Sequence, residues 1–168
     1  YQEPLLKLFR ENPTFLQPEY RRAEVVNFIR AGLKDFSISR SNFTWGIPLP
    51  FDPKHVVYVW FDALINYLTA AGIEDYLKDP MSEGGQKFQE RWPARVHVIG
   101  KDITRFHCLI WPAMLLAAGL PVPRAVFAHG FLSVEGEKMS KTRGTMIAPA
   151  QVLERGYTAD VLRYYLLR

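Results

Sequence analysis

Two lysines in the segment Glu137–Gly144 could stabilise a developing negative charge. Lys138 and Lys141 are separated by a methionine and a serine, and the loop that carries them has glycines at Gly136 and Gly144. Two ammonium groups on a hinged loop suit a polyphosphate whose negative charge grows as a bond breaks. A solvated basic turn could have the same composition, so the spacing alone leaves both interpretations open.

A second candidate group begins where an apolar run ends. The run Val56–Phe61 contains β-branched residues, which predicts a strand buried on both faces, with Trp60 near its end and Asp62 after it. A helix is predicted from Ala63 to Ala71. Three residues would lie on one face of this helix: Ala63, Leu64 and Tyr67. Aromatic residues at helical spacing are usually core residues, so a core stripe is the alternative to a binding surface.

A third group follows another predicted strand, Val96–Ile99. Gly100 would let a ligand approach the backbone, and Asp102 could accept hydrogen bonds from ribose hydroxyls or simply cap the next helix. That helix is predicted from Asp102 to about Ala118. Residues spaced four apart would face one way along it: Ile103, His107 and Trp111. A histidine on an apolar helix face is more often a core residue than a functional one, so this alternative also stays open.

The order of these elements predicts an α/β fold with a parallel, doubly wound sheet. Helices are expected within residues 1–34, with a proline break at Pro13 and Pro18, and a third strand is predicted at Ala125–Ala128. Residues 72–94 are predicted to be a polar connecting segment. Ligands gather at the carboxyl ends of parallel strands, where His129 and Gly130 follow the third strand and the lysine loop comes next.

Composition narrows the class of protein. A chain of 168 residues is long enough for one domain with a substantial core. Its net charge of +4 is compatible with a nucleic-acid partner without requiring one. The single cysteine, Cys108, excludes an internal disulfide and a Cys-x-x-Cys zinc site, which fits a reducing cytoplasm. The sequence contains no apolar run of the ~20 residues that a membrane span needs, and no membrane partner is expected.

Four stretches in this order resemble the bacterial-type methionyl-tRNA synthetases, a family of class I aminoacyl-tRNA synthetases. They read SISRSNFTWGIPLP, VYVWFDALINYLTA, HVIGKDITRFHCLIWPAMLLAAG and AHGFLSVEGEKMSKTRGT. The lysine loop resembles the KMSKS signature of class I synthetases, with Thr142 in the place of the usual serine, so the hydroxyl is retained. Phe106-His107 paired with Trp111-Pro112 distinguishes this family from synthetases for other aliphatic amino acids.

The resemblance implies a role for each candidate residue. The reaction would be ATP-dependent activation of methionine to methionyl-adenylate, followed by transfer to tRNA(Met), with ATP and Mg²⁺ entering as substrate. The methionine side chain would be bound by Trp60, Ala63, Leu64, Tyr67, Ile103, His107 and Trp111. ATP would be bound by Gly100, Asp102, His129, Gly130, Leu132 and Lys141. Lys138 and Lys141 would stabilise the phosphates as catalytic residues, and Lys141 is the stronger candidate. No metal-ligating residues and no zinc site are expected in this chain.

Three features of the family do not occur in the sequence: the His-Ile-Gly-His type motif, the zinc-knuckle cysteines and the helical anticodon-binding bundle. We therefore interpret the chain as half of a doubly wound, Rossmann-type nucleotide-binding domain. Residues 1–54 would be the tail of a connective insertion, 55–148 the C-terminal half of the catalytic domain, and 149–168 the start of a helical region on the anticodon side. The remaining N-terminal and C-terminal parts of the synthetase are expected partners, and the chain is not expected to catalyse the reaction alone. The alternative is a non-catalytic, synthetase-derived module that binds a nucleotide or tRNA.

Overall fold

The computed structural model describes residues 1–134 and 136–167; Glu135, which falls in the fourth motif, and Arg168 lie outside the described residues. The helices are α1 (Gln2–Glu11), α2 (Tyr20–Arg30), α3 (Val59–Ala71), α4 (Ile73–Lys78), α5 (Glu83–Arg91), α6 (Trp111–Ala117), α7 (Pro149–Glu154) and α8 (Ala159–Leu167). The strands are β1 (Leu16–Gln17), β2 (Ser39–Arg40), β3 (Pro48–Leu49), β4 (Asp52–Val57), β5 (His97–Gly100), β6 (Val126–His129), β7 (Ser133–Val134) and β8 (Glu137–Lys138). A 3₁₀ helix (Lys101–Ile103) and a π-helix (Phe106–Ile110) lie between β5 and α6.

The chain divides into two compact units, Tyr1–His129 and a second that begins at Gly130. The first contains α1 to α6 and β1 to β6. The second contains the β7–β8 hairpin, whose strands pair antiparallel, and the helices α7 and α8. The lysine loop belongs to the second unit.

A parallel sheet organises the first unit, with the strands in the order β1, β6, β5. β5 and β6 pair in parallel from His97 opposite Val126 to Gly100 opposite His129. This arrangement confirms the predicted α/β fold with a parallel, Rossmann-type sheet, and it confirms the strands at 96–99 and 125–128 to within one residue.

The third member of the sheet is not the one that the sequence predicts. The strand expected at Val56–Phe61 is wrong in part, because β4 ends at Val57 and α3 begins at Val59. The carbonyl of Tyr58 already accepts from the backbone N–H of Phe61 at 2.8 Å, which closes the first turn of the helix. β4 instead pairs antiparallel with β2 and β3 in a separate sheet. Trp60 and Asp62 therefore lie in the first turn of α3 and not at the end of a strand.

The two-residue strand β1 takes the third place in the parallel sheet. Leu16 lies opposite Val126, and the backbone N–H of Val126 also donates to the carbonyl of Phe15. Both Phe15 and Leu16 are fully buried.

The polar connecting segment predicted at 72–94 is also wrong in part, because it folds into α4 and α5. The Ser82 hydroxyl accepts a hydrogen bond from the backbone N–H of Gly85 and caps α5.

Two apolar cores stabilise the first unit. The sheet core lies between α1, α2, the parallel sheet and the π-helix; its buried members include Leu5, Phe9, Leu16, Ile29, Ile99, Leu109 and Val126. The helical core lies between α3, α4, α5 and α6; its buried members are Leu64, Leu68, Ala71, Ile73, Phe88, Trp92, Trp111 and Leu115. Within the described residues, no helix has the length and apolarity needed to cross a membrane.

Candidate functional site

A hydrogen-bonded pair of aromatic side chains lies beside the helical core. Tyr67 extends from α3 and His107 from the π-helix, and the Tyr67 Oη lies 2.9 Å from the His107 Nε2. The two rings are edge to face with centroids 5.7 Å apart, and the indole of Trp111 is 6.1 Å from the Tyr67 ring. The structure therefore brings together three residues that the sequence places on two separate helices.

The partners of His107 fix the direction of this hydrogen bond. His107 Nδ1 lies 3.1 Å from the carbonyl oxygen of Ile103, which can only accept, so Nδ1 carries the proton. Nε2 is then the acceptor, and the Tyr67 hydroxyl donates to it. Burial lowers the pKa of His107, partly offset by the bond to Ile103, and burial raises the pKa of Tyr67. Both side chains are therefore neutral at physiological pH.

The other predicted methionine-binding residues surround this pair at different distances. Trp60 packs against the helical core and stacks on Phe106, with ring centroids 3.9 Å apart. Leu64 is buried within that core, whereas Ala63 is exposed. Ile103 packs against the sheet core. Because Leu64, His107 and Trp111 are almost fully buried in this structure, the accessible surface of the group comes mainly from exposed Ala63 and half-buried Trp60 and Tyr67.

One buried polar residue in this group was missed by the sequence reasoning. His97 begins β5, and its ring lies 4.2 Å from that of Tyr67, centroid to centroid. The Trp111 Nε1–H donates to the His97 Nε2 at 3.2 Å. On the sequence, this histidine is hidden in an apolar strand pattern. In the structure, His97 and Ile99 are buried and Val98 is exposed, an alternation that the sequence Val96-His97-Val98-Ile99 does not reveal.

The predicted nucleotide residues of the first unit meet at the carboxyl edge of the parallel sheet. Gly100 ends β5 directly opposite His129, which ends β6. A Cβ atom on Gly100 would lie 2.7 Å from Asp102 Oδ1, so a larger residue would displace that carboxylate. Asp102 lies in the 3₁₀ helix that follows the strand. This edge has the backbone access and the carboxylate that a ribose needs.

A charged cavity of about 250 Å³ borders the same edge and is lined in part by Arg21, Lys101, Asp102 and Arg105. Arg21 donates from Nε to the carbonyl of Ala128 at 2.9 Å, so it ties α2 to the end of β6. Arg21 carries no sequence signal of a binding role, since it lies in a helix with no recognisable motif. It adds a cation close to the predicted nucleotide residues.

The lysine loop of the second unit is held in its own network of contacts. The Lys138 ammonium lies 3.6 Å from the centroid of the Phe131 ring. Arg143 donates to Glu137 at 2.8 Å, and Lys141 is exposed. Gly136 and Gly144 have φ angles of +83° and +68°, in the left-handed region that glycine tolerates best. Gly130 and Leu132, which are predicted to bind adenine, precede this loop in the same unit and are exposed.

The hydroxyl of Thr142 takes part in the loop structure. It lies 2.9 Å from the Ser140 hydroxyl, and the Thr145 hydroxyl accepts from the Ser140 backbone N–H at 3.0 Å. A serine at position 142 could make the same contact, so the change from the usual motif keeps the relevant chemistry. Within 1–134 and 136–167, no group of three or more His, Cys, Asp or Glu side chains is arranged to hold a metal ion.

The sequence is similar to a large set of methionine–tRNA ligases. It is 55% identical over 168 residues to the enzyme of Caldanaerobacter subterraneus, of which it covers 25%. It is 52% identical over 169 aligned residues to that of Bacillus subtilis, of which it covers 24%. The structure resembles Mycobacterium tuberculosis methionyl-tRNA synthetase bound by methionyl-adenylate, with a TM-score of 0.84 and 48% identity over the whole chain and 31% of the larger protein.

The chain thus spans about a quarter to a third of the length of the relatives that it matches. The family model for class I tRNA synthetases (M) matches residues 1–168, the full length of the sequence. The chain belongs to the class I tRNA synthetases (M), the family of the methionine–tRNA ligases.

Proposed function

We propose that this chain supplies the methionine-binding wall and part of the ATP site of a methionine–tRNA ligase, and acts together with other parts of the same synthetase. The observation that carries the proposal is the neutral Tyr67–His107 pair, held against Trp111 beside the helical core. Family membership gives the reaction class, and this geometry supports a side-chain pocket within the chain.

The pocket suits a thioether. Methionine sulfur is polarizable and contacts aromatic edges favourably, by about 0.3–1.5 kcal/mol for each contact. Tyr67 and Trp60 provide accessible aromatic surface in front of the buried Trp111, and the paired hydroxyl and imidazole carry no net charge to desolvate. Size alone separates near-isosteric side chains by about 1–3 kcal/mol, so oriented polar groups would add to the selectivity against leucine.

The residues predicted to bind ATP would keep the separate roles that the family resemblance implies. Gly100 and Asp102 would bind the adenosine ribose, and the stretch from His129 to Leu132 would hold adenine, partly through its backbone. Lys138 and Lys141 would stabilise the phosphates, with Mg²⁺ carried on the ATP. Lys141 is exposed, which would leave its ammonium accessible to phosphate, whereas the Lys138 ammonium lies over the Phe131 ring.

The proposed reaction consumes methionine, ATP and tRNA(Met) and needs no further reactant. A carboxylate oxygen of methionine attacks the α-phosphorus of ATP, an O–P bond forms, and the bond to the bridging oxygen breaks to release pyrophosphate. The aminoacyl group then passes to a hydroxyl at the 3′ end of tRNA(Met), and AMP leaves. Positioning and charge neutralisation would provide most of the catalysis.

A chimera tests the proposal in a full-length enzyme. Residues 1–168 would replace the matching segment of the Bacillus subtilis relative, and methionine-dependent ATP–pyrophosphate exchange would be measured. We expect exchange that requires Lys141. A folded chimera that binds ATP or tRNA but shows no exchange would refute the proposal and favour the non-catalytic binding module.

A further inference from the structure

His97 is a buried polar side chain to which neither the mechanism nor the family motifs give a role. Only 6% of its surface is exposed. Its ring lies between several aromatic side chains, with centroid distances of 4.2 Å to Tyr67, 5.9 Å to His107 and 6.2 Å to Trp92. It therefore contacts the group proposed to bind methionine from the side of the sheet.

The hydrogen bond from Trp111 fixes the state of this imidazole. An indole N–H can only donate, so the His97 Nε2 that receives it at 3.2 Å must be unprotonated. Burial, with a smaller contribution from the nearby His107, lowers the pKa of His97 to about 4. His97 is therefore a constant acceptor for Trp111 at neutral pH.

We infer that His97 is a positioning residue for methionine selectivity, which fixes the indole of Trp111 by accepting its N–H and supports the ring of Tyr67 from behind. The inference rests on the proposed function of this site. The two contacted residues come from different elements, α3 and α6, so a single side chain on β5 sets the spacing between two walls of the pocket.

The indole N–H of Trp111 argues against a purely apolar role for position 97. Ile99, which faces the same side of the strand, is apolar and contributes to the sheet core. An apolar residue at position 97 could fill the space, but it would leave the buried Trp111 N–H without an acceptor. The indole would then have to turn toward another acceptor or toward water, and either movement changes the shape of the pocket.

The test compares two substitutions at this position in the chimera. His97→Leu keeps the bulk and removes the acceptor, whereas His97→Gln places an amide oxygen near the former Nε2. We expect His97→Leu to raise the KM for methionine by about 10-fold, with the KM for ATP nearly unchanged, and to reduce the preference for methionine over norleucine, which lacks the sulfur. His97→Gln should recover most of both properties.

Phe88→Leu serves as the control. Phe88 is buried in the helical core and packs against Tyr76, so its truncation destabilises the same core. The substitution removes no hydrogen bond to Trp111. We expect a lower melting temperature and an unchanged methionine-to-norleucine ratio. If His97→Leu behaves like Phe88→Leu, or if His97→Gln restores nothing, His97 is a core residue only.

A spectroscopic measurement separates this inference from the proposed function. With ¹⁵N-tryptophan labelling of the chimera, the Trp111 indole N–H signal should shift and exchange faster with solvent in His97→Leu, and return toward the wild-type position in His97→Gln. An unchanged Trp111 signal in His97→Leu would overturn the inference even in an active enzyme. A chimera without exchange activity would refute the proposed function, while this signal would still decide whether His97 holds Trp111.

Discussion

The Tyr67 hydroxyl is the most informative single group to remove. Tyr67→Phe deletes the donor to His107 Nε2 and leaves the rings of the cluster in place. Because His107 is only 1% exposed, water has little access to the acceptor that is left behind. An unsatisfied buried polar group costs about 1–3 kcal/mol, more than the net value of about 1 kcal/mol for an average hydrogen bond. We expect the free energy of unfolding to fall by about 2 kcal/mol.

The assay is chemical denaturation of the chimera, paired with exchange kinetics. Tyr76→Phe is the matched control, since Tyr76 packs against Phe88 through its ring at 4.8 Å and the substitution removes only its hydroxyl. That change should cost less than about 0.5 kcal/mol, as for an ordinary substitution away from a buried hydrogen bond. The KM for methionine should rise in Tyr67→Phe and not in Tyr76→Phe. An equal fall in the free energy of unfolding in the two variants would refute a water-inaccessible hydrogen bond from Tyr67 to His107.

Three further predictions concern the lysine loop, the buried His97 and the strand edge at Gly100. Lys141→Ala in the chimera should raise the activation free energy of pyrophosphate exchange by about 2–4 kcal/mol, with little change in methionine affinity. An exchange rate within a few-fold of wild type would contradict the role of Lys141. The pKa of His97 is 6.5 in the unfolded chain and about 4 in the folded one, so the unfolded state binds more protons between these two pH values. The free energy of unfolding should therefore fall by up to about 3 kcal/mol as the pH drops through this window. Denaturation of wild type and His97→Leu at several pH values checks this, since the variant should lose most of that dependence. Gly100→Ala should raise the KM for ATP by about 10- to 100-fold and leave that for methionine unchanged, because its Cβ would displace Asp102; equal effects on both substrates would contradict the assignment of this edge to ATP.

The parts of the fold with strong periodic patterns were predictable from the sequence. The helices α1 and α2 lie where the apolar spacing and the prolines place them, and β5 and β6 follow from short, mainly apolar runs that precede Gly100 and His129 respectively. The sequence predicts that Tyr67 and His107 lie in one site, but it does not predict the hydrogen bond between them. The hydrogen bond itself depends on the crossing of two helices, which no local pattern specifies.

The remaining features escape sequence reasoning for identifiable reasons. A continuous apolar run such as Val56–Phe61 fits a buried strand and a buried helix equally well, and here the chain changes from one to the other at Tyr58. β1 has two residues, too few to show any period, although Leu16 is fully buried. His97 was overlooked because a polar residue within an apolar strand has meaning only through its partner, Trp111, which lies 14 positions away in the sequence.

Photolabelling would show where the methionine side chain binds, which the proposed function places beside Trp60, Tyr67 and Trp111. A diazirine analogue of methionine would be irradiated with the chimera in the presence of ATP, and the labelled peptides would be identified by mass spectrometry. We expect labels within Val59–Ala71 and within 97–111, suppressed by excess methionine. Competable labelling confined to other segments, with none on Trp60, Tyr67 or Trp111, would show that the methionine pocket is not formed by these residues.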